Sequence, residues 1–264
     1  IFTSELARTT TLTKDDVGLW GGVILLGEAS TNNSSEKLIE GVSEITSDPG
    51  LAGYGGTNDA DNSGVMRYVS IRHSGINIGS SSGNEIQGLT LGGVGSGTTL
   101  EYIESFASGD DGFEFFGGTV NTKYLISAFN NDDAFDWDQG FRGKGQFWFA
   151  ILDTDTHGHA AEMDGAGGDE TGTPYVNPRI SNVTYIGSGV DASSTGDTRQ
   201  LLLFRDNTAG LYTNSIFMEG MGYSVQIEDV EDNTVDSRAR MEAGELNITS
   251  SHFYNFGDGE AATM

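Results

Sequence analysis

The 264-residue sequence contains no cysteine and only 3 prolines. Without cysteine the chain forms no disulfide bond and no thiolate metal site, although this absence does not fix a cellular compartment. Basic residues are scarce: 13 Lys and Arg stand against 39 Asp and Glu, and the formal net charge is -26. A surface of this sign repels nucleic acids and anionic membranes, because both require positive charge on the protein. We therefore expect no nucleic-acid partner.

Long apolar runs are also missing. No segment approaches the roughly 20 apolar residues that span a bilayer, so we expect no membrane span. Glycine is abundant at 39 residues, and Asn, Ser, Thr and Asp recur every few positions. This pattern favours many short strands joined by tight turns. The one stretch with helical character is 232–244, which ends at Gly244.

A repeat stands in the middle of the chain. Residues 102–118 read YIESFASGDDGFEFFGG, and residues 124–140 read YLISAFNNDDAFDWDQG. They align without a gap at an offset of about 22 residues, and a looser copy, HAAEMD at 159–164, follows at about 26. Such a period in a Gly-rich chain indicates stacked turns of one coil. We predict one all-β domain over residues 1–264, a right-handed parallel β-helix (solenoid) with about 22-residue coils and lateral loops.

Alternation along the repeated strands assigns their two faces. The aromatic residues of FEF and FDW share one side, which predicts a stacked aromatic core. The other side then carries a surface column of carboxylates, Glu114, Asp136 and Glu162. Strands lie about 4.8 Å apart, and unneutralised carboxylates at that spacing repel by about 1 kcal/mol or more per pair.

Two Asp-Asp pairs lie at turns beside this column. A bound cation would relieve the repulsion, and Ca²⁺ accepts six to eight oxygen ligands from carboxylates, carbonyls and water. The competing interpretation is that the aspartates cap the turns by accepting backbone N–H groups. We expect a Ca²⁺ site drawn from seven residues: Asp110, Asp111, Asp132, Asp133, Glu114, Asp136 and Glu162.

Three aromatic residues near the carboxylates are candidates for ligand binding. Phe116 falls on the outer face, and Phe141 and Trp148 follow the second repeat closely. Exposed rings beside carboxylates bind sugars through stacking and hydroxyl hydrogen bonds. The alternative is that these rings pack under a lateral loop such as 165–178.

The segments LWGGVILLG (19–27), YVSIRHSG (68–75), GTPYVNPRISNVTYIG (172–187) and the repeat region 110–147 together resemble secreted β-helix proteins of Bacteroidetes and marine relatives. Those proteins often carry a lipoprotein or type IX secretion signal. The resemblance covers nearly the whole chain and implies an extracellular or outer cell-surface β-helix. It also implies further N-terminal coils before Ile1, so we expect a piece of a longer precursor that makes end-to-end contacts through those coils.

An enzyme is the alternative. SGDDGFEF resembles the Gly-Asp-Asp turn of polygalacturonase-type glycosidases, whose inverting chemistry needs carboxyl groups roughly 6.5–9.5 Å apart. An acidic-polysaccharide lyase would instead use a Ca²⁺-bound uronate and a nearby Arg or Lys as base. The residues an enzyme would use are Asp111, Asp133, Asp136, Arg142 and Lys144. The bland interpretation of the two cations is that they form surface ion pairs with the acidic column.

The favoured interpretation is a binding or structural module. It would be adhesin-like, binding polysaccharide, matrix or another cell-surface protein, and stabilised by Ca²⁺. The acidic-polysaccharide lyase or glycoside hydrolase with its site at the stacked Asp pairs remains the second interpretation.

Overall fold

The structure is a computed structural model, described for residues 1–33, 37–42, 51–78, 85–166, 168–193, 198–230 and 235–259. A short 3-10 helix, Glu5–Arg8, precedes the strands, and one α-helix, α1 (Ser237–Glu242), interrupts them late in the chain. Strands β1 to β20 are Val23–Leu26, Lys37–Leu38, Gly53–Tyr54, Val65–Arg72, Leu89–Gly92, Thr99–Phe106, Phe113–Phe116, Asn121–Ala128, Phe135–Asp138, Lys144–Gln146, Phe149–Ile151, Ala161–Asp164, Arg179–Ser181, Thr184–Ile186, Leu202–Arg205, Gly210–Thr213, Ile216–Gly220, Val225–Ile227, Leu246–Thr249 and His252–Phe256.

The strands form two large sheets in which every pairing is parallel. The first sheet has seven strands in the order β1-β5-β7-β9-β12-β15-β18. The second has eleven strands: β4, β6 and β8 pair in turn, and the sheet then divides into β10-β13-β16-β19 and β11-β14-β17-β20. Each coil therefore contributes one strand to the first sheet and a bent pair of strands to the second. This is the predicted parallel β-helix, with the right-handed sense that parallel crossovers adopt.

The registers confirm the repeat and its third copy. Phe113 pairs with Phe135 and Glu114 with Asp136, and Asp136 pairs with Glu162 at the predicted offset. The next step is longer, because Glu162 pairs with Leu203. The period of about 22 residues therefore holds in the middle coils, while later coils carry insertions between the same strands.

A left-handed backbone residue makes the bend in the second sheet. Tyr68, Tyr102, Tyr124 and Phe147 take this position with φ of 55°, 56°, 59° and 58°. Their rings stack from coil to coil at centroid distances of 4.7, 4.4 and 5.3 Å. We call these four residues the corner ladder. The apolar stretch 146–152 accordingly contributes to two strands, β10 and β11, which are separated at Phe147 because the chain turns a corner there.

The core contains the predicted aromatic column and two rings that we expected on the surface. Trp148 is 1% exposed and lies 4.5 Å from Phe135. Phe141 is 0% exposed and stacks on Phe115 at 4.6 Å. The expectation that Phe141 and Trp148 are exposed for ligand binding was wrong, because both rings fill the interior between coils.

A lateral excursion covers part of the first sheet. This excursion is the segment 31–62, as far as it is described, and it contains the short antiparallel pair β2–β3. Phe116 is 6% exposed beneath it, with its ring 6.0 Å from that of Tyr54. Ile39 and Ala52 complete this second apolar cluster. The predicted exposure of Phe116 was also wrong, because the excursion buries the outer face at this coil.

The predicted helical stretch contains α1, while 232–234 lies outside the described residues. Asp236 caps the helix, and its Oδ1 accepts a hydrogen bond from the Ala239 backbone at 2.7 Å. Within the described segments, no helix has both the length and the apolar character needed to cross a membrane.

Candidate functional site

The carboxylate column lies on the outer face of the seven-stranded sheet, as its register requires. Glu114 on β7, Asp136 on β9 and Glu162 on β12 stand in one row. The column is not the exposed surface that we predicted, since Glu114 is only 6% exposed. The lateral excursion is the reason, since it covers this face at β7.

The Asp-Asp pairs lie at the turns that lead into these strands. Asp111 accepts a hydrogen bond from the Asp133 backbone at 2.8 Å. Asp133 accepts one from the His159 backbone in the next coil. The second residue of each pair therefore caps the following turn, so the turn-capping interpretation holds for Asp111 and Asp133.

The structure brings the seven metal candidates together. Their ligand atoms form three groups, each within 4.8 Å: Asp110, Asp111 and Asp132; Asp111, Glu114 and Asp136; and Asp133, His159 and Glu162. The first two groups share Asp111, and Asp111 accepts a hydrogen bond from the Asp133 backbone of the remaining group. The groups therefore lie side by side in one acidic site. The three groups differ in how their charge is compensated.

Protein cations neutralise the group around Glu162. His159 Nδ1 lies 2.9 Å from Asp133 Oδ1 and 3.3 Å from Glu162 Oε2. Burial disfavours protonated His159, but the charges and hydrogen bonds of these two acids raise its pKa to about 10. Arg205 contacts Glu162 and also binds Asp164 at 2.7 Å. Burial opposes ionised Glu162, yet His159, Asp133 and Arg205 lower its pKa to about 2.

Sequence reasoning missed Arg205. It pairs with Asp164 between β12 and β15, but the insertion between those strands places it 41 residues away. The signal was the apolar-to-Arg run LLFR at 202–205, which takes the place of AEMD at 161–164. Without a fixed period through this coil, the alignment was not available from the sequence.

The second group has no such compensation. We call Asp111, Glu114 and Asp136 the acidic triad. Asp111 and Glu114 are each 6% exposed, and Asp136 is partly exposed. Glu114 Oε2 and Asp136 Oδ1 are buried atoms without a hydrogen-bond partner among the described residues.

The electrostatic surroundings of the triad are acidic throughout. Burial raises the pKa of Glu114 well above its usual value, and the charges of Glu40 and Asp138 raise it further. Burial and neighbouring acids raise the pKa of Asp111 and Asp136 in the same way. Ionised carboxylates in this position therefore lack the positive charge that a buried anion requires.

The group of Asp110, Asp111 and Asp132 is more open to solvent than the other two. Burial raises the pKa of Asp110 to about 7, and the charge of Asp132 adds to the shift. Gln87 Nε2 donates to Asp110 at 3.4 Å. Asp132 is exposed, so this edge of the acidic site reaches solvent.

The two cations expected for catalysis do not converge on the acids. Arg142 donates to Ser30 Oγ at 2.8 Å and pairs with Asp59 at 3.0 Å, so it fastens the lateral excursion. Lys144 lies on β10, in the other sheet, and its side chain is exposed. Among the described residues, neither forms an ion pair with the acidic column, so the interpretation that they pair with that column at the surface was also wrong.

Comparison with protein families gives a match over nearly the whole chain. The model of the pectate-lyase-like beta helix domain matches residues 2–263, which includes both sheets and the acidic site. Comparison with curated proteins and with solved structures gives no match.

Proposed function

Because the chain belongs to the family of pectate-lyase-like β-helix domains, we propose that it is an extracellular or outer cell-surface module that binds polysaccharide or another surface protein and is stabilised by Ca²⁺. The observation that carries the proposal is the acidic triad, whose carboxylates are largely buried, lie within 4.8 Å of one another and form no ion pair with a Lys, Arg or His among the described residues. The resemblance of the sequence to secreted and lipoprotein-type β-helix proteins supports the location.

Calcium fits the triad by the chemistry of its donors. The triad supplies only oxygen atoms, and Ca²⁺ prefers carboxylate and carbonyl oxygens at about 2.3–2.6 Å. One oxygen of Asp111 is used by the Asp133 backbone, which leaves the other for an ion. Unpartnered Glu114 Oε2 and Asp136 Oδ1 would be further ligands, and the three ionised carboxylates carry enough negative charge to balance the ion's two positive charges.

A covered site favours stabilisation over catalysis. The described part of the excursion covers Glu114 and Phe116, which disfavours access of a polymer chain to the triad. Arg142 holds this excursion in place through Ser30 and Asp59. Calcium at the triad would therefore join the neighbouring coils of β7 and β9 beneath the excursion.

The enzyme remains a second candidate because of Asp110. Its pKa of about 7 suits a general acid near neutral pH, and it lies at the open edge of the site beside Asp132. A uronate polymer lyase or hydrolase would place its reacting atoms there.

Calorimetric titration of EDTA-treated protein with CaCl₂ tests the metal proposal. We expect saturable binding by the native chain and at least tenfold weaker binding by Glu114→Gln. Glu5→Gln is the matched control, because Glu5 is an exposed acid outside the three groups, and the calcium affinity of this variant should be unchanged. Equal binding by the native chain and Glu114→Gln would contradict the proposal.

Assays on uronate polymers test the enzyme candidate. Unsaturated products and new reducing ends are measured with CaCl₂ and with EDTA. The binding module predicts neither product. If the native chain forms a product that Asp110→Asn does not form, and the melting temperature is unchanged, the protein is an enzyme and not only a binding module.

A further inference from the structure

The few cations of this chain are distributed unevenly. Of the 13 Lys and Arg, all but Lys37 lie among the described side chains. Eight of these twelve form ion pairs with carboxylates: Lys14, Arg67, Arg72, Arg142, Arg199, Arg205, Arg238 and Arg240. Four have no carboxylate partner within the described chain: Arg8, Lys123, Lys144 and Arg179.

Three of these four cations line one groove. Lys123, Lys144 and Arg179 are exposed on the outer face of β8, β10 and β13, three successive strands of the second sheet. Lys144 pairs in register with Arg179, and Lys123 pairs with Gln146 beside it. We call this the basic groove; its volume is about 500 Å³. It lies on a different sheet from the acidic site.

The protein does not neutralise the basic groove, although acids outnumber bases three to one. The adjacent acid is Glu101, which pairs in register with Lys123. Its carboxylate instead binds Arg67 at 3.0 Å. Strands about 4.8 Å apart thus hold like charges that repel in the free protein. A cluster of this kind, in a chain with so many available carboxylates, is suited to anions supplied by a ligand.

We propose that the basic groove binds the carboxylate groups of an acidic polysaccharide, a chain of uronic-acid sugars. This inference rests on the carbohydrate-binding part of the proposed function and names its ligand class and surface. Arg179 presents a planar fork that matches a carboxylate in two hydrogen bonds. Lys123 and Lys144 supply point charges on the neighbouring coils, so successive coils meet successive acidic sugars.

The remaining lining of the groove suits sugar hydroxyls. Amide and hydroxyl side chains alternate with the cations, and they both donate and accept hydrogen bonds. Gln146 Nε2 donates a hydrogen bond to Asn182 Oδ1 at 3.3 Å, which leaves the side-chain carbonyl oxygen of Gln146 for a ligand. The polar residues that line the groove beside the cations are Asn121, Gln146, Ser181 and Thr213.

The corner ladder beside the groove argues against single-stranded nucleic acid. Proteins bind unpaired bases by stacking them on free aromatic faces. Tyr102 and Tyr124 stack on each other at 4.4 Å, and Tyr124 stacks on Phe147 at 5.3 Å. Both faces of Tyr102 and of Tyr124 are therefore covered by neighbouring rings, so these two rings cannot stack on unpaired bases.

The net charge of -26 repels polyanions at long range. Salt screens this repulsion beyond about 8 Å at physiological ionic strength, whereas the contacts within the groove are closer. Binding should therefore be weak in very dilute buffer, strongest at intermediate salt, and weak again at high salt. A purely nonspecific attraction would only decline as salt is added.

The test measures binding of oligogalacturonate of defined length by calorimetry, with the double variant Lys144→Gln/Arg179→Gln. We expect at least a tenfold loss of affinity in the double variant. Arg8→Gln is the matched control, because Arg8 also lacks a carboxylate partner but lies outside the groove; its affinity should stay within twofold. All substitutions are on exposed side chains, and unchanged melting temperatures will show that the variants are folded.

Three further ligands separate the possible sources of the anion. A neutral cello-oligosaccharide should not bind, and a sulfated oligosaccharide should bind more weakly than the uronate. Single-stranded DNA that binds as tightly as oligogalacturonate would overturn the uronate assignment. The groove assignment would also be overturned if the native chain did not bind oligogalacturonate, or if the native chain and the double variant bound it equally.

Calcium binding is measured alongside uronate binding, so that failure of the acidic triad can be distinguished from failure of the basic groove. The titrations are repeated with Glu114→Gln, which alters the other sheet. Loss of calcium binding in Glu114→Gln with uronate binding intact would leave the groove assignment standing. Loss of calcium binding in Glu114→Gln, together with uronate binding that is equal in the native chain and the double variant, would overturn the groove alone.

Discussion

Phe147 and Trp148 are neighbours in the sequence and have opposite environments. The backbone of Phe147 is left-handed, so its ring joins the corner ladder with 41% exposure. The Trp148 ring points inward, and its Nε1 donates to Thr122 Oγ1 at 3.0 Å. One turn at the corner thus decides which of two adjacent aromatic residues belongs to the core.

Substitution of these two residues should show the difference. Trp148→Ala should lower the free energy of unfolding by about 3–5 kcal/mol, because it leaves a large cavity between coils. Phe147→Ala removes a stacked but half-exposed ring and should cost about 1 kcal/mol. Urea denaturation measures both, and equal losses would show that Trp148 is not the core residue described here.

At the scale of elements, the corner of the second sheet requires a left-handed backbone conformation, and the chain accommodates it in two ways. A left-handed residue is unfavourable for most side chains, although Asn tolerates it. The first coils place stacked aromatic rings at the corner, and later coils place Asn182 and Asn214 there. In the first case ring stacking offsets the backbone cost, and in the second the residue type reduces it.

Two substitutions at one corner separate these contributions. Tyr102→Asn loses two stacked neighbours but keeps a residue suited to positive φ, so we expect a loss of about 1–2 kcal/mol. Tyr102→Val loses the same stacking and adds β-branched strain, so its loss should be larger by about 1 kcal/mol or more. Chemical denaturation of the pair measures the difference, and a smaller loss for Tyr102→Val would contradict the corner assignment.

The elements were predictable where the period was regular. The repeat correctly predicted the β-helix, the stacking of Glu114 on Asp136, and the third copy at Glu162, because identical phases occupy identical places in successive coils. It did not predict the corner at Phe147, since a single left-handed residue leaves no mark on alternation. The covering of Glu114 by the excursion and the pairing of Arg205 with Glu162 and Asp164 depend on insertions between coils. Insertions do not follow the repeat period, so the period could not predict these contacts.

At the scale of the whole molecule, charge and fold are coupled through the acidic site. Burial raises the pKa of Asp110 from 3.8 to about 7, and that of Asp111 and Glu114 also rises. The folded chain therefore binds more protons than the unfolded chain above pH 4. Stability from these groups is fully present at low pH and is lost as the pH rises through the folded pKa.

We therefore predict that in EDTA the melting temperature falls between pH 4.5 and pH 7. Glu162 acts in the opposite sense, but its lowered pKa confines its effect to pH values below about 4.5. Ca²⁺ binds the ionised carboxylates, so the gain in melting temperature from CaCl₂ should grow over the same window. Differential scanning fluorimetry across the pH series measures both trends, and a calcium gain that shrinks toward pH 7 would contradict the assignment.

The most direct test compares the native chain with Glu114→Gln, each in EDTA and in excess CaCl₂ at pH 8. In EDTA the neutral amide removes a buried, unpartnered charge, so the variant should melt at the same or a higher temperature. At about 100 times the dissociation constant, calcium should stabilise the native chain by about 2.7 kcal/mol, roughly 5–10 °C for a chain of this size. The order of the two melting temperatures should then reverse. A native melting temperature that calcium leaves unchanged, or an equal gain in Glu114→Gln, would contradict a calcium site at the acidic triad.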